Sequence, residues 1–350
     1  MANPTEPQVR STWDGQRSRD WQDYHRSGMA ELISSANLGQ ALLGLANSGL
    51  LARLREAPQA ASDLLEGLDR RMGEGFLRYL KVAGVLEERK GLYHLTRRGE
   101  LLTGAVSLAR LGFYLEAYAP VTGRITDLLT GAATYGVDIH RAQGPLARHC
   151  GVVSVRSYTP VVLEVVRERS ARHLVDLGCG DGSLLVRLCA SHPDLSGVGI
   201  DIAPDAIKAA QRLAADSGLG GRAVFEVADA FDPDTWPEQA LAAEMIYGIG
   251  FLHERFRDGD HAVIATLNRY AGFLTGQRTL LIGEPELRYD NQENDSDFFL
   301  VHVLTAQGIP RDRNDWLSLF GRTELHCRRV HDNFPGGPRT CFYELTPREK

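Results

Sequence analysis

The chain has few cysteines, no excess of basic side chains and no long apolar run, and each shortage excludes a class of protein. Its five cysteines are odd in number and never paired as CxxC, so neither a disulfide framework nor a structural zinc knot is expected. The 39 basic and 45 acidic side chains give a net charge of −6, which does not attract a phosphate backbone or an anionic membrane. We therefore expect a small-molecule substrate, with neither nucleic acid nor membrane as a partner.

The first 28 residues are polar and lack the apolar segment that a signal peptide needs. No later run reaches the length of a membrane span, so a cytoplasmic protein is expected. Residues 1–28 are predicted to form a flexible arm. The rest of the chain is long enough for two domains, and an apolar content of 43% provides a core for each.

Residues 29–165 are predicted to form an all-α domain. The helical pattern has short breaks and includes two short strands, between residues 85 and 96, that turn at Lys90-Gly91. This order of elements is the outline of a winged helix. DNA binding is disfavoured because the basic residues stand among many acids and form no long basic helix. We expect this domain to form a homodimer and to cover the substrate.

Residues 166–350 are predicted to form an α/β domain with a Rossmann-like fold. From Arg172 onward, five short apolar runs alternate with helical stretches, which is typical of a parallel sheet with helices on both faces. Two further segments, residues 323–332 and 340–347, alternate apolar and polar residues on either side of a Pro-Gly-Gly-Pro turn at residues 335–338. That pattern predicts an antiparallel hairpin at the sheet edge.

A glycine-rich turn follows the first of these runs. Three glycines at alternate positions after Asp176 let the backbone turn sharply and approach a ligand before a helix begins. Asp201 ends the second run, 23 residues after Gly178, where an acid can accept hydrogen bonds from ribose hydroxyls. A dinucleotide is disfavoured, because Asp181 would place a charge beside its phosphates.

Another acidic residue follows the third run. Asp229 offers a carboxylate to an adenine amino group, and Phe231 offers an aromatic wall. Together with the glycine turn and Asp201, these features resemble the class I methyltransferases that depend on S-adenosyl-L-methionine (SAM), over about residues 172–345. The resemblance implies SAM as cofactor. The candidate SAM-binding residues are Asp176, Gly178, Gly180, Gly182, Asp201, Ile202, Asp229, Ala230 and Phe231.

A histidine and an acid, His253 and Glu254, follow the fourth run. With the winged-helix outline, this pair makes the whole chain resemble the small-molecule O-methyltransferases. In those enzymes a histidine at this place is the general base that removes the proton from an acceptor hydroxyl. On this interpretation no metal is needed.

A second histidine, His302, lies in an apolar helical run 49 residues after His253. The pair of histidines, with Glu254, resembles the metal-dependent 2-oxo acid C-methyltransferases of the phenylpyruvate type. The later residues that share the resemblance are Gly308, Pro310, Asp315 and Trp316. The resemblance implies that His253 and His302 hold a metal ion, and that Arg141 binds the substrate carboxylate.

The chemistry of C-methylation gives such a metal a purpose. A carbon beside a ketone becomes nucleophilic only after losing a proton, and a cation bound to the 2-oxo acid stabilises the resulting enolate. Two neutral imidazoles suit iron or zinc better than magnesium and leave coordination positions open for substrate. Glu254 could be a third ligand, the base or the residue that orients a bound water, and the sequence does not separate these roles.

We therefore favour C3-methylation of a 2-oxo acid in secondary metabolism. O-methylation with His253 as a simple base is the first alternative. A SAM-binding regulator that uses its winged helix on DNA, and an inactive dimer partner, are further alternatives. Four aromatic residues either line the acceptor pocket or belong to the core, namely Phe113, Tyr114, Tyr118 and Phe299.

Overall fold

The computed structural model describes residues 15–274, 278–286, 295–306, 312–332 and 340–348. The chain divides into two compact units, Met1–Leu108 and Ala109–Lys350. This division lies earlier than the predicted boundary at 165/166. The physical reason is that buried side chains between residues 109 and 166 share one apolar core with the strands that follow.

The first unit is mostly helical. Asp69 caps one helix by accepting a hydrogen bond from the backbone N–H of Met72. Its core includes the fully buried Leu45, Leu64, Leu77 and Leu80. The elements are α1 (Gly15–Arg26), α2 (Met29–Asn47), α3 (Leu50–Glu56), α4 (Ala61–Leu64), α5 (Arg70–Val82), β1 (Leu86–Arg89), β2 (Leu92–Leu95) and α6 (Arg97–Leu102).

Two predictions fall in this unit. Strands β1 and β2 pair antiparallel and turn at Lys90 and Gly91, whose φ angles of 52° and 78° are the positive values that a tight two-residue hairpin turn requires. The hairpin is therefore confirmed, while the assignment as a winged helix stays a prediction. Helix α1 occupies part of the predicted flexible arm, and residues 1–14 of that arm lie outside the described residues.

The helical segment before the sheet contains a π-helical turn, Phe113–Ala117. Such turns are rare and occur often at functional sites. The helices around it are α7 (Ala105–Gly112), which crosses the division between the units, α8 (Ala119–Thr122), α9 (Ile125–Thr130), α10 (Gln143–Ser157) and α11 (Thr159–Arg169).

The second unit contains a seven-stranded sheet in the order β5-β4-β3-β6-β7-β9-β8. The first five strands in this order are parallel, and each contains an apolar run identified in the sequence. The last two are antiparallel, as predicted, although the predicted turn at residues 335–338 lies outside the described part of the chain. The strands are β3 (His173–Leu177), β4 (Ser196–Asp201), β5 (Ala223–Val227), β6 (Met245–Ile249), β7 (Thr279–Pro285), β8 (Leu325–Asp332) and β9 (Thr340–Pro347).

Helices connect these strands, as an α/β fold requires. They are α12 (Ser183–Ser191), α13 (Pro204–Asp216), α14 (Glu238–Leu241), α15 (Asp260–Phe273), α16 (Asp295–Leu304) and α17 (Arg313–Gly321), with 3-10 turns at Pro233–Thr235 and Leu252–Asp258. The parallel strands end at one edge of the sheet, so residues just after β3, β4, β5 and β6 lie near one another. Among the described helices, none is both long and apolar enough to cross a membrane.

Candidate active site

The glycine-rich turn links β3 to α12. Gly178, Gly180 and Gly182 all have positive φ angles, of 70°, 56° and 74°, which side chains other than glycine rarely adopt. A Cβ atom at Gly182 would also lie 2.6 Å from the ring of Phe225. The backbone N–H groups of Gly178 and Cys179 donate to the Ile200 carbonyl, which holds the turn against the end of β4.

Asp176 lies one strand residue before this turn and is buried. Burial raises the pKa of its carboxyl from the usual 3.8 to about 7. An acid with so high a pKa is costly to keep charged. Its retention beside the turn is typical of a functional position rather than a helix cap.

Asp201 and Ile202 lie at the end of β4. The Asp201 carboxylate accepts hydrogen bonds from the backbone N–H groups of Gly180, at 3.0 Å, and Ala203, at 2.9 Å. These bonds fix the carboxylate beside the turn and leave lone pairs for ribose hydroxyls. The Ile202 side chain is 71% exposed, so it is accessible to a flat ligand.

The residues after β5 complete this edge of the sheet. Asp229 accepts a hydrogen bond from the Phe231 N–H at 2.9 Å, and Ala230 is buried. The Phe231 ring stacks on Phe251, with centroids 5.5 Å apart and planes at 16°. The structure therefore brings all nine candidate SAM-binding residues to the carboxyl ends of β3, β4 and β5.

His253 lies in the 3-10 turn after β6 and is buried. Its Nδ1 atom donates to the Glu284 carboxylate at 2.7 Å, because a carboxylate can only accept. Glu284, in β7, has no exposed surface and also accepts from the backbone N–H groups of Phe251 and Leu252. This arrangement leaves the Nε2 lone pair of a neutral His253 available for a ligand or a proton.

Sequence reasoning did not identify Glu284. It belongs to the apolar strand β7, and a carboxylate inside such a strand was a usable signal, since buried acids are rarely found without a partner. Its partner, His253, is 31 residues away in sequence. Only the parallel pairing of β6 with β7 brings the two side chains together.

His302 lies in α16 and is also buried, with 1% of its surface exposed. Its Nδ1 donates to the Phe298 carbonyl at 2.7 Å. In the neutral ring Nε2 therefore carries no proton and is the nitrogen that can bind a ligand. Within the described chain this Nε2 has no hydrogen-bond partner. Burial, and then the proximity of the His253 ring, lower the pKa of His302 to about 3, and the centroids of the two histidine rings are 5.0 Å apart.

Arg141 and Glu254 form a largely buried ion pair, with side chains 11% and 24% exposed. Arg141 also donates to the Tyr118 hydroxyl at 3.2 Å, whereas its Nε lacks a partner among the described residues. Burial alone would raise the pKa of Glu254, but the Arg141 guanidinium holds it below its usual range. Glu254 is therefore a charged carboxylate in this state.

Two further sequence predictions are located by the structure. Trp316 is fully buried in the sheet core, in α17, and Asp315 lies beside it in the same helix. Gly308 and Pro310 lie outside the described residues. Across the described ranges, no group of three or more histidine, cysteine, aspartate or glutamate side chains converges as a metal site, so the two histidines are a pair without a third such residue.

Known proteins share this architecture. Residues 168–246 match the family described as a methyltransferase domain. The 2-ketoarginine methyltransferase of Streptomyces arginensis is 29% identical over 314 residues, which cover 84% of this chain and 88% of that protein. The indolepyruvate C-methyltransferase of Streptomyces griseus is 27% identical over 199 residues, covering 54% of this chain and 56% of that one.

A solved structure extends the likeness to nearly the whole chain. The mitomycin 7-O-methyltransferase superposes with a TM-score of 0.68 at 18% identity, over 94% of this chain and 100% of that one. The chain is a class I SAM-dependent methyltransferase. This methyltransferase has the fold of the small-molecule enzymes, a helical N-terminal region followed by the SAM-binding α/β domain.

Proposed function

We propose that this methyltransferase transfers the methyl group of SAM to C3 of a 2-oxo acid, and that His253 and His302 hold a transition metal, iron or zinc, which binds the acceptor. The observation that carries the proposal is the buried, unpartnered Nε2 of His302 beside the His253 ring. Two relatives named for 2-oxo acid substrates, 2-ketoarginine and indolepyruvate, support the same acceptor class.

The two histidines fit a metal ion. Each ring is anchored through Nδ1, one by a carboxylate and one by a carbonyl, which is the usual arrangement behind metal-ligating imidazoles. A metal–imidazole bond is about 2.0 Å long, so rings whose centroids lie 5.0 Å apart can share one ion. The low pKa of His302 keeps its ring neutral, as a ligand must be.

Arg141 is proposed to bind the carboxylate of the acceptor. Its guanidinium is suited to paired hydrogen bonds with a carboxylate. In the described state it is paired with Glu254, so the acceptor carboxylate takes over part of that pairing. Glu254 then has a lone pair available for the proton at C3, which gives it the role of the base.

The reaction then follows from these positions. When bound, the metal would draw electrons from the 2-oxo group and so acidify the hydrogen atoms on C3. Glu254 takes the C3 proton, and the electron pair left on C3 forms a bond to the SAM methyl carbon as the methyl–sulfur bond breaks. The products are a 3-methyl-2-oxo acid and S-adenosylhomocysteine (SAH). The protein's main contribution is to hold donor and acceptor in line and to exclude water.

O-methylation is the second candidate, and the His253–Glu284 pair favours it. A histidine oriented by a buried carboxylate is a competent general base for a hydroxyl, and the superposed mitomycin enzyme is an O-methyltransferase by name. This candidate gives no role to the unpartnered Nε2 of His302. The two candidates therefore differ in their need for His302.

We also propose that the enzyme is a homodimer. Four large apolar side chains near the N-terminus are between 43% and 62% exposed, more than isolated surface residues explain, namely Trp21, Met29, Leu32 and Ile33. A second copy of the chain would cover them. Light scattering should give about twice the chain mass, and Leu32→Lys should reduce it to that of one chain.

The proposed chemistry is tested by metal content and turnover together. Wild type and His302→Gln are purified without a metal-affinity tag, bound metal is measured by elemental mass spectrometry, and 2-oxo acids and phenols are assayed with SAM. We expect about one metal ion per wild-type chain, lost in the variant together with 2-oxo acid turnover. A metal-free wild type that methylates phenols, with an equally active variant, would refute the proposal in favour of O-methylation.

A further inference from the structure

A second arginine, Arg110, lies close to the proposed acceptor site and is half-buried at the end of α7. One of its N–H groups donates to the Tyr114 hydroxyl at 3.2 Å. Its guanidinium lies 5.4 Å from the centroid of the Tyr114 ring and 5.8 Å from that of Phe113. These contacts orient the guanidinium on the π-helical turn and leave most of its donors uncommitted.

Arg110 differs from Arg141 in having no acidic partner. Arg141 is paired with Glu254, whereas no carboxylate in the described part of the chain forms an ion pair with Arg110. The nearest acid on the π-helical turn, Glu116, accepts instead from His149 at 2.6 Å and from Arg148 at 2.8 Å. Arg110 is therefore a half-buried positive charge without an ion-pair partner among the described residues.

The aromatic side chains connect Arg110 to both ends of the acceptor site. Phe113, against which Arg110 packs, contacts Tyr118 at 4.9 Å and Phe298 at 6.2 Å between ring centroids. The Tyr118 hydroxyl accepts from Arg141, and the Phe298 ring lies 4.1 Å from that of His302. Two aromatic rings therefore link Arg110 to Arg141, and two link it to His302, with Phe113 common to both.

Cys150, in α10, lies within electrostatic range of both arginines. Burial is the largest cause that raises the pKa of its thiol, to about 11, while the guanidinium groups of Arg141 and then Arg110 lower it. The carboxylates of Asp181 and Glu254 raise this pKa as well. Both guanidinium groups therefore act on the same side chain of α10.

We infer that Arg110 binds a second acidic group on the acceptor, so that the acceptor is a 2-oxo acid whose side chain ends in a carboxylate. This inference rests on the proposed function and specifies its substrate class. One carboxylate of the diacid pairs with Arg141 beside the reacting carbon, and the other reaches Arg110 along these aromatic side chains. A side chain ending in a guanidinium, as in 2-ketoarginine, would instead meet a like charge and an acid that already accepts from His149 and Arg148.

The test compares three acceptors of similar length on the metal-loaded enzyme: 2-oxohexanedioate, 2-oxohexanoate and 5-guanidino-2-oxopentanoate. Values of kcat/KM are measured for wild type, Arg110→Gln and the control Arg124→Gln. Arg124 is an exposed arginine paired with Asp127 in α9, so its loss changes the net charge equally. Calorimetric titration of each acid into the SAH-bound enzyme gives binding independently of turnover.

We expect wild type to prefer the diacid over 2-oxohexanoate, whose side chain is uncharged, by about tenfold or more, as a charge-assisted pair provides. In Arg110→Gln that ratio should fall to about one while kcat/KM for 2-oxohexanoate is retained, which also reports that the variant is folded. Arg124→Gln should keep the wild-type ratio. Arg110→Lys, which keeps the charge but not the planar fork, should restore part of the preference.

Three other outcomes are distinguishable. Turnover of 2-oxohexanoate or 5-guanidino-2-oxopentanoate with no preference for the diacid, or a ratio unchanged in Arg110→Gln, overturns the inference and leaves the proposed function intact. Diacid binding that depends on Arg110 but gives no methylated product supports the inference and overturns the proposed chemistry. Neither turnover nor binding of any of the three acids overturns both.

Discussion

Replacing Glu284 by glutamine is the change that most directly tests how His253 is positioned. Glutamine has the same shape, so its carbonyl can still accept from the backbone N–H groups of Phe251 and Leu252. Its amide group then faces the Nδ1 of His253 as a donor, whereas the carboxylate was an acceptor at 2.7 Å. The histidine must therefore move its proton to Nε2, and the lone pair needed there for a metal or a proton is lost.

The size of the effect follows from the burial of the pair. The Glu284 carboxylate has no exposed surface, so water does not replace the lost bond, and a hydrogen bond to a charged group contributes about 1.5–3 kcal/mol. Residues behind a metal-ligating histidine change activity by about 10–100-fold. The comparable acid-to-amide change beside a catalytic histidine of a serine protease lowers kcat by about 10⁴. We therefore expect Glu284→Gln to lower kcat by at least about 10²-fold.

The assay measures SAH formation at saturating SAM and acceptor, with thermal unfolding followed by circular dichroism in parallel. Glu284→Asp, which keeps the acceptor but is shorter, serves as the matched control and should retain part of kcat. Because the candidate SAM-binding residues lie at the ends of β3, β4 and β5, we expect the Kd of SAM to stay within about twofold of wild type. A folded Glu284→Gln enzyme with kcat near that of wild type would refute the reasoning.

Three other changes test the remaining parts of the site. Gly182→Ala should reduce the free energy of unfolding by about 1–3 kcal/mol and weaken SAM binding, since its Cβ would lie 2.6 Å from Phe225 at a φ of 74°; unaltered urea unfolding and titration curves would contradict this. The pKa of Asp176 in the folded protein is about 7, above its usual 3.8. The stability that its protonated form contributes is therefore fully present below pH 3.8 and is lost as the pH rises through 7. Asp176→Asn should flatten that part of the pH dependence of Tm. Arg141→Lys should raise KM for the acceptor about tenfold with little change in the Kd of SAM, because lysine cannot form the paired hydrogen bonds with a carboxylate. A higher Kd for SAM with an unchanged KM for the acceptor would contradict the role of Arg141 in binding the acceptor.

The fold was largely predictable because its signals are local. Five apolar runs after Arg172 became the five parallel strands, and the tail became the antiparallel pair, since alternation of runs with helical stretches reflects burial between two layers. The boundary between the units was not predictable in this way. It depends on which core the helices of residues 109–166 join, and an apolar helix face does not specify its partner.

Local pattern was a weaker guide to the start of α10. A glycine–proline pair is typical of loops, yet Gly144 and Pro145 lie in the first turn of that helix. Proline is tolerated there because the first helical N–H groups have no partner within the helix. The same pair of residues thus fits both a loop and the start of a helix. The packing of the helical turns that follow decides between the two.

The sequence by itself determined the place of the glycine-rich turn after β3, of the acids at the ends of β4 and β5, and of the two histidines, because each is a short motif with a fixed place relative to one strand or helix. The tertiary structure alone decided that Glu284 supports His253, that the two histidine rings lie 5.0 Å apart, and that Arg141 pairs with Glu254. Each of these contacts joins residues between 31 and 113 positions apart. Their geometry depends on strand pairing and helix packing, which no local pattern of residues records.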